Sequence, residues 1–289
     1  MKSFQLKLIL ILLFLSVNIF FVFKLWELYN SKNVFTKDEI SQAVSVLCEK
    51  GVNISVDKVI TKKNVPDVIK LNFNSSSSEG IAKRVMREKY STFTVPDGFS
   101  YTGSSESLSF KQDYSITYTY TPSNITKEDV LKKLNTSTAV EKSGKKETER
   151  LTKTLFSDIN SEPYKVSLIP LRSTVVDGIT YIEAIEAVDL YKIEKAKIIA
   201  AVKDGKLLYL SGTLFFAEGY EDYSSNAFDS INILFEIDEK ESEITSMEII
   251  YSFVFDEKDS VYLAPSYAFT YSDNTREIYD ATSALKRSS

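Results

Sequence analysis

The sequence predicts an α+β protein, with an N-terminal transmembrane helix followed by two extracytoplasmic lobes of antiparallel sheet and packed helices. Three observations predict this class. A nearly uninterrupted apolar segment lies close to the N-terminus, helix-capping patterns precede periodic apolar residues, and alternating apolar runs are separated by Asp-Gly turns. Helices that alternate with groups of hairpins are typical of an α+β protein and not of a doubly wound parallel sheet.

The first element is an apolar segment of about the length that spans a bilayer. Residues 8–23 carry no charge, and the apolar character resumes at Leu25 and Trp26. We therefore expect a transmembrane anchor over residues 8–26. A cleaved signal peptide and a buried helical hairpin are the alternatives, but no small-x-small cleavage pattern follows the apolar segment.

The charges around this segment predict its orientation. Lys2 and Lys7 precede it, so residues 1–7 are expected in the cytoplasm and the bulk of the chain on the outer side of the cell membrane. Trp26 and Tyr29 would then lie at the outer interface of the lipid bilayer, where amphipathic rings are enriched.

Ser16 and Asn18 are polar positions within the predicted span, and we regard them as candidate contacts with a partner helix. At 100° per residue, Asn18 shares a face with Phe14 and Val22, whereas Ser16 points about 200° away. The alternative for Asn18 is a side chain that reaches toward the lipid headgroups.

After a tether at residues 27–35, the first extracytoplasmic lobe is predicted over residues 36–122. Thr36 and Glu39 form a capping-box pattern in front of helically spaced apolar residues. The segment Ser75–Ser78 is expected to interrupt the structure before a second helix. The remaining elements are strands at Val52–Val56 and Ile69–Phe73, a second helix within Ile81–Tyr90, a turn at Pro96–Gly98 and a hairpin over residues 106–121.

The second lobe is predicted over residues 123–289 and begins with another capping pattern at Thr126 and Asp129. A helix in Ser225–Glu236 is expected to pack through Phe228, Ile231 and Phe235. The other elements are a helix that ends near Leu134, a helix within residues 141–159, hairpins around Asp177-Gly178 and Asp204-Gly205, and late strands at Ile249–Phe255, Tyr267–Tyr271 and Glu277–Ala281.

Composition excludes several kinds of chemistry. The 289 residues include no histidine and a single cysteine, Cys48, which we interpret as a small packed hydrophobe. A net charge of -5 argues against a nucleic-acid partner. The chain has no Gly-rich phosphate loop and no GxSxG motif. We expect no cofactor, no small-molecule substrate and no catalysis.

Acidic clusters leave two alternatives open. Glu183 with Glu186, or Glu218 with Glu221 and Asp222, could serve as the carboxylate pair of a glycosidase. Asp256, Glu257 and Asp259 could bind calcium, although their spacing does not match an EF-hand loop and is typical of a charged hairpin tip.

Segments at the two ends resemble one known family. The segment Leu12–Phe21, continued by Leu25-Trp26, resembles the N-terminus of the YycI (WalI) family, and the late strands resemble the C-terminus of that family. The matching late positions are Tyr251, Pro265, Tyr267, Tyr279 and Ala281. Asp280 stands where the family has Asn, and Tyr267 stands where a Trp is common.

This resemblance implies a non-enzymatic, single-pass membrane regulator. Together with a YycH-like sister protein, such a regulator binds a sensor histidine kinase (YycG/WalK-like) that controls cell-wall metabolism. The excess of Lys over Arg is typical of a low-GC Gram-positive bacterium. The late strands also resemble PepSY modules, so the alternative function is a membrane-tethered module that binds or inhibits an extracytoplasmic peptidase.

Overall fold

The protein has an α+β fold built on a large mixed sheet. A computed structural model describes residues 14–22, 24, 33–71, 75–157, 165–215, 217–220, 227–255 and 261–287. Besides a helical segment at residues 14–22, the helices in these ranges are α1 (Lys37–Glu49), α2 (Ser75–Val85), α3 (Lys127–Leu134), α4 (Lys142–Phe156) and α5 (Ser230–Phe235). The strands are β1 (Val52–Ile54), β2 (Ile69–Leu71), β3 (Ser91–Val95), β4 (Gly98–Thr102), β5 (Glu106–Lys111), β6 (Ser115–Tyr120), β7 (Val166–Val176), β8 (Ile179–Val188), β9 (Tyr191–Lys203), β10 (Lys206–Thr213), β11 (Ala217–Tyr220), β12 (Lys240–Phe255), β13 (Val261–Tyr271) and β14 (Arg276–Asp280).

The predicted membrane anchor is described only in part. Of residues 8–26, the structure covers 14–22 and 24, which are helical. In the part of the chain that the structure describes, no helix combines the length and the apolar character needed to cross a membrane.

Contacts divide the chain into two compact units that alternate along the sequence. The first unit comprises Met1–Pro66, Ser224–Glu248 and Ser266–Ser289, and the second comprises Asp67–Tyr223 and Ile249–Pro265. The sequence predicted two consecutive lobes that meet near residue 122. The structure differs because β6 pairs with β10, a strand some ninety residues later, and this pairing crosses the predicted boundary.

Helix α1 organises the N-terminal part of the first unit. The predicted capping box is confirmed: the Thr36 hydroxyl accepts a hydrogen bond from the Glu39 amide at 3.2 Å, and the Glu39 carboxylate accepts one from the Thr36 amide at 2.6 Å. Ile40 and Leu47 form its buried face. The helix contacts β1 and α5, and the Ser230 hydroxyl at the start of α5 donates to the carbonyl of Ile60 at 2.7 Å.

The strands of the first unit come from both ends of the chain. β1 pairs in parallel with the N-terminal part of β12, and β14 pairs antiparallel with the C-terminal part of β13. The parallel pairing is a departure from the predicted antiparallel sheet. Local patterns show where strands lie but do not show the relative direction of strands that are distant in sequence.

In the second unit, ten strands follow the order β11-β2-β13-β12-β9-β10-β6-β5-β4-β3, and β8 pairs with both β9 and β7. The hairpins predicted at Asp177-Gly178 and Asp204-Gly205 are confirmed, as is the hairpin over residues 106–121. One further pairing is parallel, between β12 and β9 at Tyr251 and Ile193.

Strand β9 lies at the centre of the second unit and is buried on both faces. Its apolar run Ile198–Val202 does not alternate with polar residues, which is typical of a strand covered on both sides. Ile198, Ala200 and Val202 join one core cluster, and Ile199 and Ala201 join another. Successive side chains of a strand point to opposite faces, so this short run supplies both cores.

The helices of the second unit cover these two faces. Leu151 and Leu155 of α4 belong to the larger cluster together with Ile81 of α2, whereas Val130 and Leu134 of α3 belong to the smaller one. Helix α4 lies on β7 and β8 and also contacts α2. The C-terminal half of α2 and the middle of α4 are therefore neighbours.

Candidate functional site

The helical segment at residues 14–22 has an exposed apolar surface. Each of its nine residues is exposed. Its large apolar side chains include Phe14, 72% exposed, Phe21, 58%, and Val22, 67%. Exposed apolar side chains occur on all sides of the helix and are not confined to one stripe.

Asn18 is the polar residue of one face of this segment. Its side-chain amide donates to the carbonyl of Phe14 at 3.0 Å, one turn earlier. Phe14, Leu15, Ile19 and Val22 surround Asn18 along the helix. Ser16 lies on the opposite side, as its spacing predicts. Trp26 and Tyr29, the predicted interface anchors, lie outside the described residues.

The late positions that resemble the YycI family are core positions. In the second unit, Tyr251 is 2% exposed, and its hydroxyl donates to the carbonyl of Asp67 at 3.0 Å. Pro265 is buried in β13. In the first unit, Tyr267 and Ala281 have no exposed surface, and Tyr279 packs edge-on against Phe269 at 5.7 Å between ring centroids. These five residues therefore stabilise the fold and do not form a binding surface.

The carboxylates considered for catalysis have separate structural roles. Glu183 forms an ion pair with Arg172. Glu186 is fully buried, and one of its oxygens accepts a hydrogen bond from the Phe215 amide at 2.7 Å. Burial raises the pKa of the Glu186 carboxyl well above its usual range. Within the described ranges, no three Cys, Asp or Glu residues are grouped so as to hold a metal ion.

The other acidic candidates cannot be placed. Glu221 and Asp222 lie outside the described residues, as do Asp256, Glu257 and Asp259, and Glu218 is described only as part of strand β11.

The prediction for Cys48 was wrong. The side chain is exposed on α1, with its sulfur 3.9 Å from the side-chain oxygen of Asn53. Leu47 occupies the buried position of that turn, and the next residue along a helix points about 100° away from it.

The second unit contains a cavity with a cationic lining that the sequence did not predict. The cavity lies between the end of α2, the middle of α4 and the β9–β10 turn. Its volume is about 210 Å³. The apolar part of its lining includes Val85, Leu151 and Val202. The charged residues of its lining are Arg84, Arg87, Arg150, Lys206 and Glu147. We call this feature the cationic cavity.

Two of the arginines are held by backbone carbonyl groups. Arg84 donates from Nε to the carbonyl of Thr154 at 2.5 Å and from Nη2 to that of Leu155 at 3.2 Å, at the C-terminal end of α4. Arg87 donates to the carbonyl of Leu207. These contacts fix the two guanidinium groups at the edge of the cavity.

Two of the arginines are paired with carboxylates. Arg150 forms an ion pair with Glu147 at 3.1 Å, and Nε of Arg87 lies 3.4 Å from an oxygen of the buried Glu106. Among the described residues, the lining thus combines four cationic side chains with the carboxylate of Glu147, and Glu106 lies next to it. The chain has only six arginines, and half of them meet at this cavity. Arg84 and Arg87, one helical turn apart in sequence, were the one local signal of such a cluster.

The solved structures that match this chain include two proteins of very low sequence identity. One is an uncharacterized protein from Eubacterium rectale, with 12% identity and a TM-score of 0.47, covering 82% of this chain and 90% of that chain. The other is the C-terminal domain of YpeB from Bacillus megaterium, with 11% identity and a TM-score of 0.38, covering 76% of this chain and 97% of that domain. No protein-family model matches the sequence, and neither does any curated protein.

Proposed function

We propose that this chain is a non-enzymatic membrane regulator that acts on a sensor histidine kinase controlling cell-wall metabolism. The N-terminal helix would pack beside a membrane helix of the kinase. The two outer units would contact the extracytoplasmic part of the kinase or a YycH-like sister protein. The observation that carries the proposal is the uncovered apolar surface of residues 14–22.

The energetic argument concerns what must cover this helix. Burying one large apolar side chain contributes roughly 1.5–3 kcal/mol relative to leaving it exposed. Seven side chains of this kind are exposed in the segment: Phe14, Leu15, Val17, Ile19, Phe20, Phe21 and Val22. A helix of this composition is stable when lipid or a second apolar helix surrounds it, since its backbone groups are satisfied internally.

Asn18 gives one face of the helix a means of specific contact. Its amide group donates within the helix to Phe14, while an asparagine side chain offers further donor and acceptor positions. A polar side chain in lipid contributes roughly 1 kcal/mol when it bonds to a partner helix. A differential contact of a few kcal/mol is enough to shift a two-state kinase between its signalling conformations.

The choice of a kinase as the partner comes from the resemblance of both ends of the chain to the YycI family. Regulation by helix packing needs no catalytic residue in this chain. Lys2 and Lys7, which precede the span, predict the orientation with residues 1–7 in the cytoplasm and the two units outside.

Cysteine crosslinking in the native membrane tests the proposal, because the chain has a single, exposed cysteine that can be removed. In a Cys48→Ser background, two separate variants are made. Asn18→Cys places a single thiol on one face of the helix, and Ser16→Cys places it on the opposite face. We expect one face, and not both equally, to crosslink to the sensor kinase identified by mass spectrometry.

Four outcomes are informative. A crosslink from one face to a sensor kinase supports the proposal, and a loss of kinase regulation when residues 8–23 are replaced by an unrelated apolar helix supports it independently. Crosslinking to a peptidase without any kinase would overturn the proposal in favour of the tethered-inhibitor alternative. Unchanged kinase output after helix replacement would exclude the role of the helix.

A further inference from the structure

We propose that strand β3 forms an antiparallel pair with β3 of a second copy of this chain, so that the two sheets become continuous across a two-fold axis. Strand β3 lies at one end of the strand order of the second unit, and among the described strands it pairs with β4 alone. A strand at the edge of a sheet has N–H and C=O groups without a partner strand. The proposal concerns residues of the second unit and does not depend on a kinase partner.

Strand β3 is exposed along its whole length and has the composition of a strand that pairs readily. It consists of five exposed residues, Ser91, Thr92, Phe93, Thr94 and Val95. β-Branched and aromatic residues favour strands, and none of the five carries a charge. Phe93 is 53% exposed and Val95 is 38% exposed. Main-chain and side-chain groups are therefore both available to a further strand.

Phe93 lies on the polar face of this part of the sheet, where packing within the chain does not account for an aromatic ring. Its cross-strand partner on β4 is Ser100, which in turn pairs with Ser109 of β5. The next position of this row is Thr117 of β6. The core residue Tyr101 is the next residue of β4 and points to the opposite face. In a dimer, an identical ring from the second copy would lie opposite Phe93 and cover it.

Strand β7, another edge of the same sheet, shows how an edge is protected from such pairing. Among the described strands it pairs with β8 alone, it carries Pro170 and Arg172, and its register shifts between these two residues. Helix α4 also lies on it. Proline, charge and a bulge each oppose the addition of a strand. Strand β3 contains no proline and no charged residue, and its register with β4 is regular from Ser91 to Val95.

The sequence of β3 favours a second copy as the partner because the strand is complementary to itself. In a two-fold antiparallel pair centred on Phe93, the two Phe93 rings are opposite each other and Ser91 lies opposite Val95. This register pairs all five residues and leaves Pro96 outside the ladder. A shift of the centre by one residue toward the C-terminus would bring Pro96 into the ladder, where it has no N–H to donate.

The residues that flank β3 supply charge complementarity in the same register. Lys89 lies four positions before Phe93 and Asp97 four positions after it, so each lysine faces the aspartate of the other copy. Both side chains are exposed, and within the described part of the chain neither forms an ion pair. The two-fold axis generates this contact twice. A parallel pair would place like charges opposite each other, so the charges select the antiparallel arrangement.

The interface is small, and the dimer should therefore be weak and reversible. It joins five residues of each copy, compared with the roughly 20–30 residues a side of a stable interface. Sedimentation velocity of the full-length chain in an uncharged detergent, over a series of protein concentrations, measures this equilibrium. We expect the proportion of dimer to rise with concentration.

Two lysine substitutions provide a matched pair of variants. Phe93→Lys removes the central ring and places two like charges opposite each other, so we expect it to weaken dimerisation about tenfold. Val175→Lys is the control, since Val175 is a 41% exposed residue of the edge strand β7. We expect this control to dimerise as the wild-type chain does, and both variants to keep the wild-type melting temperature.

Disulfide formation tests the register without changing Phe93. In a Cys48→Ser background, Ser91→Cys and Val95→Cys chains with tags of different mass are mixed and mildly oxidised. The proposed register places the two thiols of a mixed pair on opposite residues with Cβ atoms about 4.5–5.5 Å apart, close to the separation that a disulfide spans. Identical thiols lie four residues apart along the strands, or roughly 13 Å. We expect mixed dimers to exceed the disulfide dimers of either variant alone by about fivefold or more.

The outcomes separate this pairing from other modes of association. Dimerisation that Phe93→Lys weakens and Val175→Lys does not, together with the mixed disulfide, supports the proposal. A wild-type chain that is monomeric at every concentration, or equal disulfide formation in mixed and single-variant samples, would overturn it. Equal dimerisation of the two lysine variants would also overturn it, and would assign the contact to another surface, such as the helix at residues 14–22.

Two further results complete the test. If Phe93→Lys lowers the melting temperature, the disulfide experiment decides the matter, because it keeps the central ring. If Ser91→Cys crosslinks in the native membrane to a different protein and not to a second copy, the edge of β3 belongs to that partner and the pairing of two copies is wrong.

Discussion

Gly205 lies directly against the guanidinium group of Arg150. A Cβ added at Gly205 would overlap the guanidinium group of Arg150. The glycine also has a φ of +73°, as the second residue of the tight Asp204-Gly205 turn requires. One residue thus closes the β9–β10 hairpin and leaves room for a cation of the cationic cavity.

Gly205→Ala should therefore have two separable effects. The positive φ costs roughly 1–2 kcal/mol of stability for a residue with a Cβ, and displacement of Arg150 should disturb its ion pair with Glu147. Gly178→Ala is the matched control, since Gly178 has a φ of +74° in the other Asp-Gly turn and no atom lies within 4 Å of an added Cβ. Denaturant unfolding should show a larger loss of stability in Gly205→Ala than in Gly178→Ala, by about 0.5 kcal/mol, the contribution of an exposed ion pair. Equal losses in the two variants would show that Arg150 moves aside without a cost.

The burial of Glu186 leads us to predict an unusual pH dependence of the stability of the folded protein. Its folded-state pKa lies above its unfolded value because burial disfavours the charged form. The folded chain therefore binds more protons than the unfolded chain at pH values above the unfolded pKa of about 4.3. The contribution of Glu186 to stability is complete below that pH and falls by about 1.4 kcal/mol per pH unit until the folded pKa is reached.

The variant Glu186→Gln removes this titration while keeping an oxygen that can accept the bond from the Phe215 amide. We expect the stability of the variant relative to wild type to increase with pH above about 4.3 in denaturant titrations. Glu149→Gln, at an exposed position of α4, measures the effect of losing one solvated carboxylate. If the two variants have the same pH slope, Glu186 is ionised in the folded protein.

The elements that could be predicted from the sequence are those whose causes are local. Thr36 and Glu39 identify the start of α1 because both partners of a capping box lie within four residues. The Asp-Gly turns identify hairpins for the same reason, since two residues with positive φ close the turn. The alternation of apolar residues then predicts which strands are half-buried.

Other features depend on contacts between residues that are distant in sequence, or on which residues of a helix face the core. The segment Ser75–Ser78, predicted to interrupt the structure, forms the first turn of α2. The predicted packing face of the helix near residue 230 was also wrong. Asp229 is the N-cap, so the helix begins at Ser230 and Phe228 lies before it. Ser230, Ile233 and Leu234 form the buried face, whereas Phe228 is 39% exposed.

The cationic cavity could not be predicted for a related reason. Arg84 and Arg150 are 66 positions apart, and only the packing of α2 near α4 brings them to one cavity. Their separate surroundings in the sequence resemble ordinary solvent-exposed helix faces, where arginine is common.

At Gly144 in α4, we expect a substitution by alanine to lower stability, although alanine has a higher helix propensity than glycine. Replacing a helical glycine with alanine usually stabilises a helix by about 1 kcal/mol. Here a Cβ at Gly144 would overlap both Cβ and Oγ of Ser173, a fully buried residue of β7. Overpacking of this kind costs roughly 1–3 kcal/mol, so Gly144→Ala should lower the free energy of unfolding.

A double-mutant cycle isolates the cause of this loss. Ser173→Gly removes the atoms that meet the new Cβ, so Gly144→Ala should be less destabilising in the Ser173→Gly background than alone. Additive effects of the two substitutions would show that the clash is relieved by movement of α4 and not by Ser173.

Asp280 ends β14 and organises the turn that follows. One of its carboxylate oxygens accepts hydrogen bonds from the amide and the hydroxyl of Thr282, at 2.7 and 2.5 Å, and from the Ser283 amide at 3.2 Å. The other oxygen forms an ion pair with Arg287. An asparagine keeps an acceptor oxygen for the turn and loses only the charge.

We therefore expect Asp280→Asn to cost about 1 kcal/mol or less, and Asp280→Ala to cost roughly 1–3 kcal/mol, since the alanine leaves part-buried backbone donors of the turn without their acceptor. Denaturant unfolding of the full-length chain gives both values, and Arg287→Lys, which keeps the charge, reports the ion pair separately. Equal losses in Asp280→Asn and Asp280→Ala would assign the role to the charge. A small loss in Asp280→Asn would instead show that Asp and Asn are equivalent in this turn, because either side chain can accept the same three hydrogen bonds.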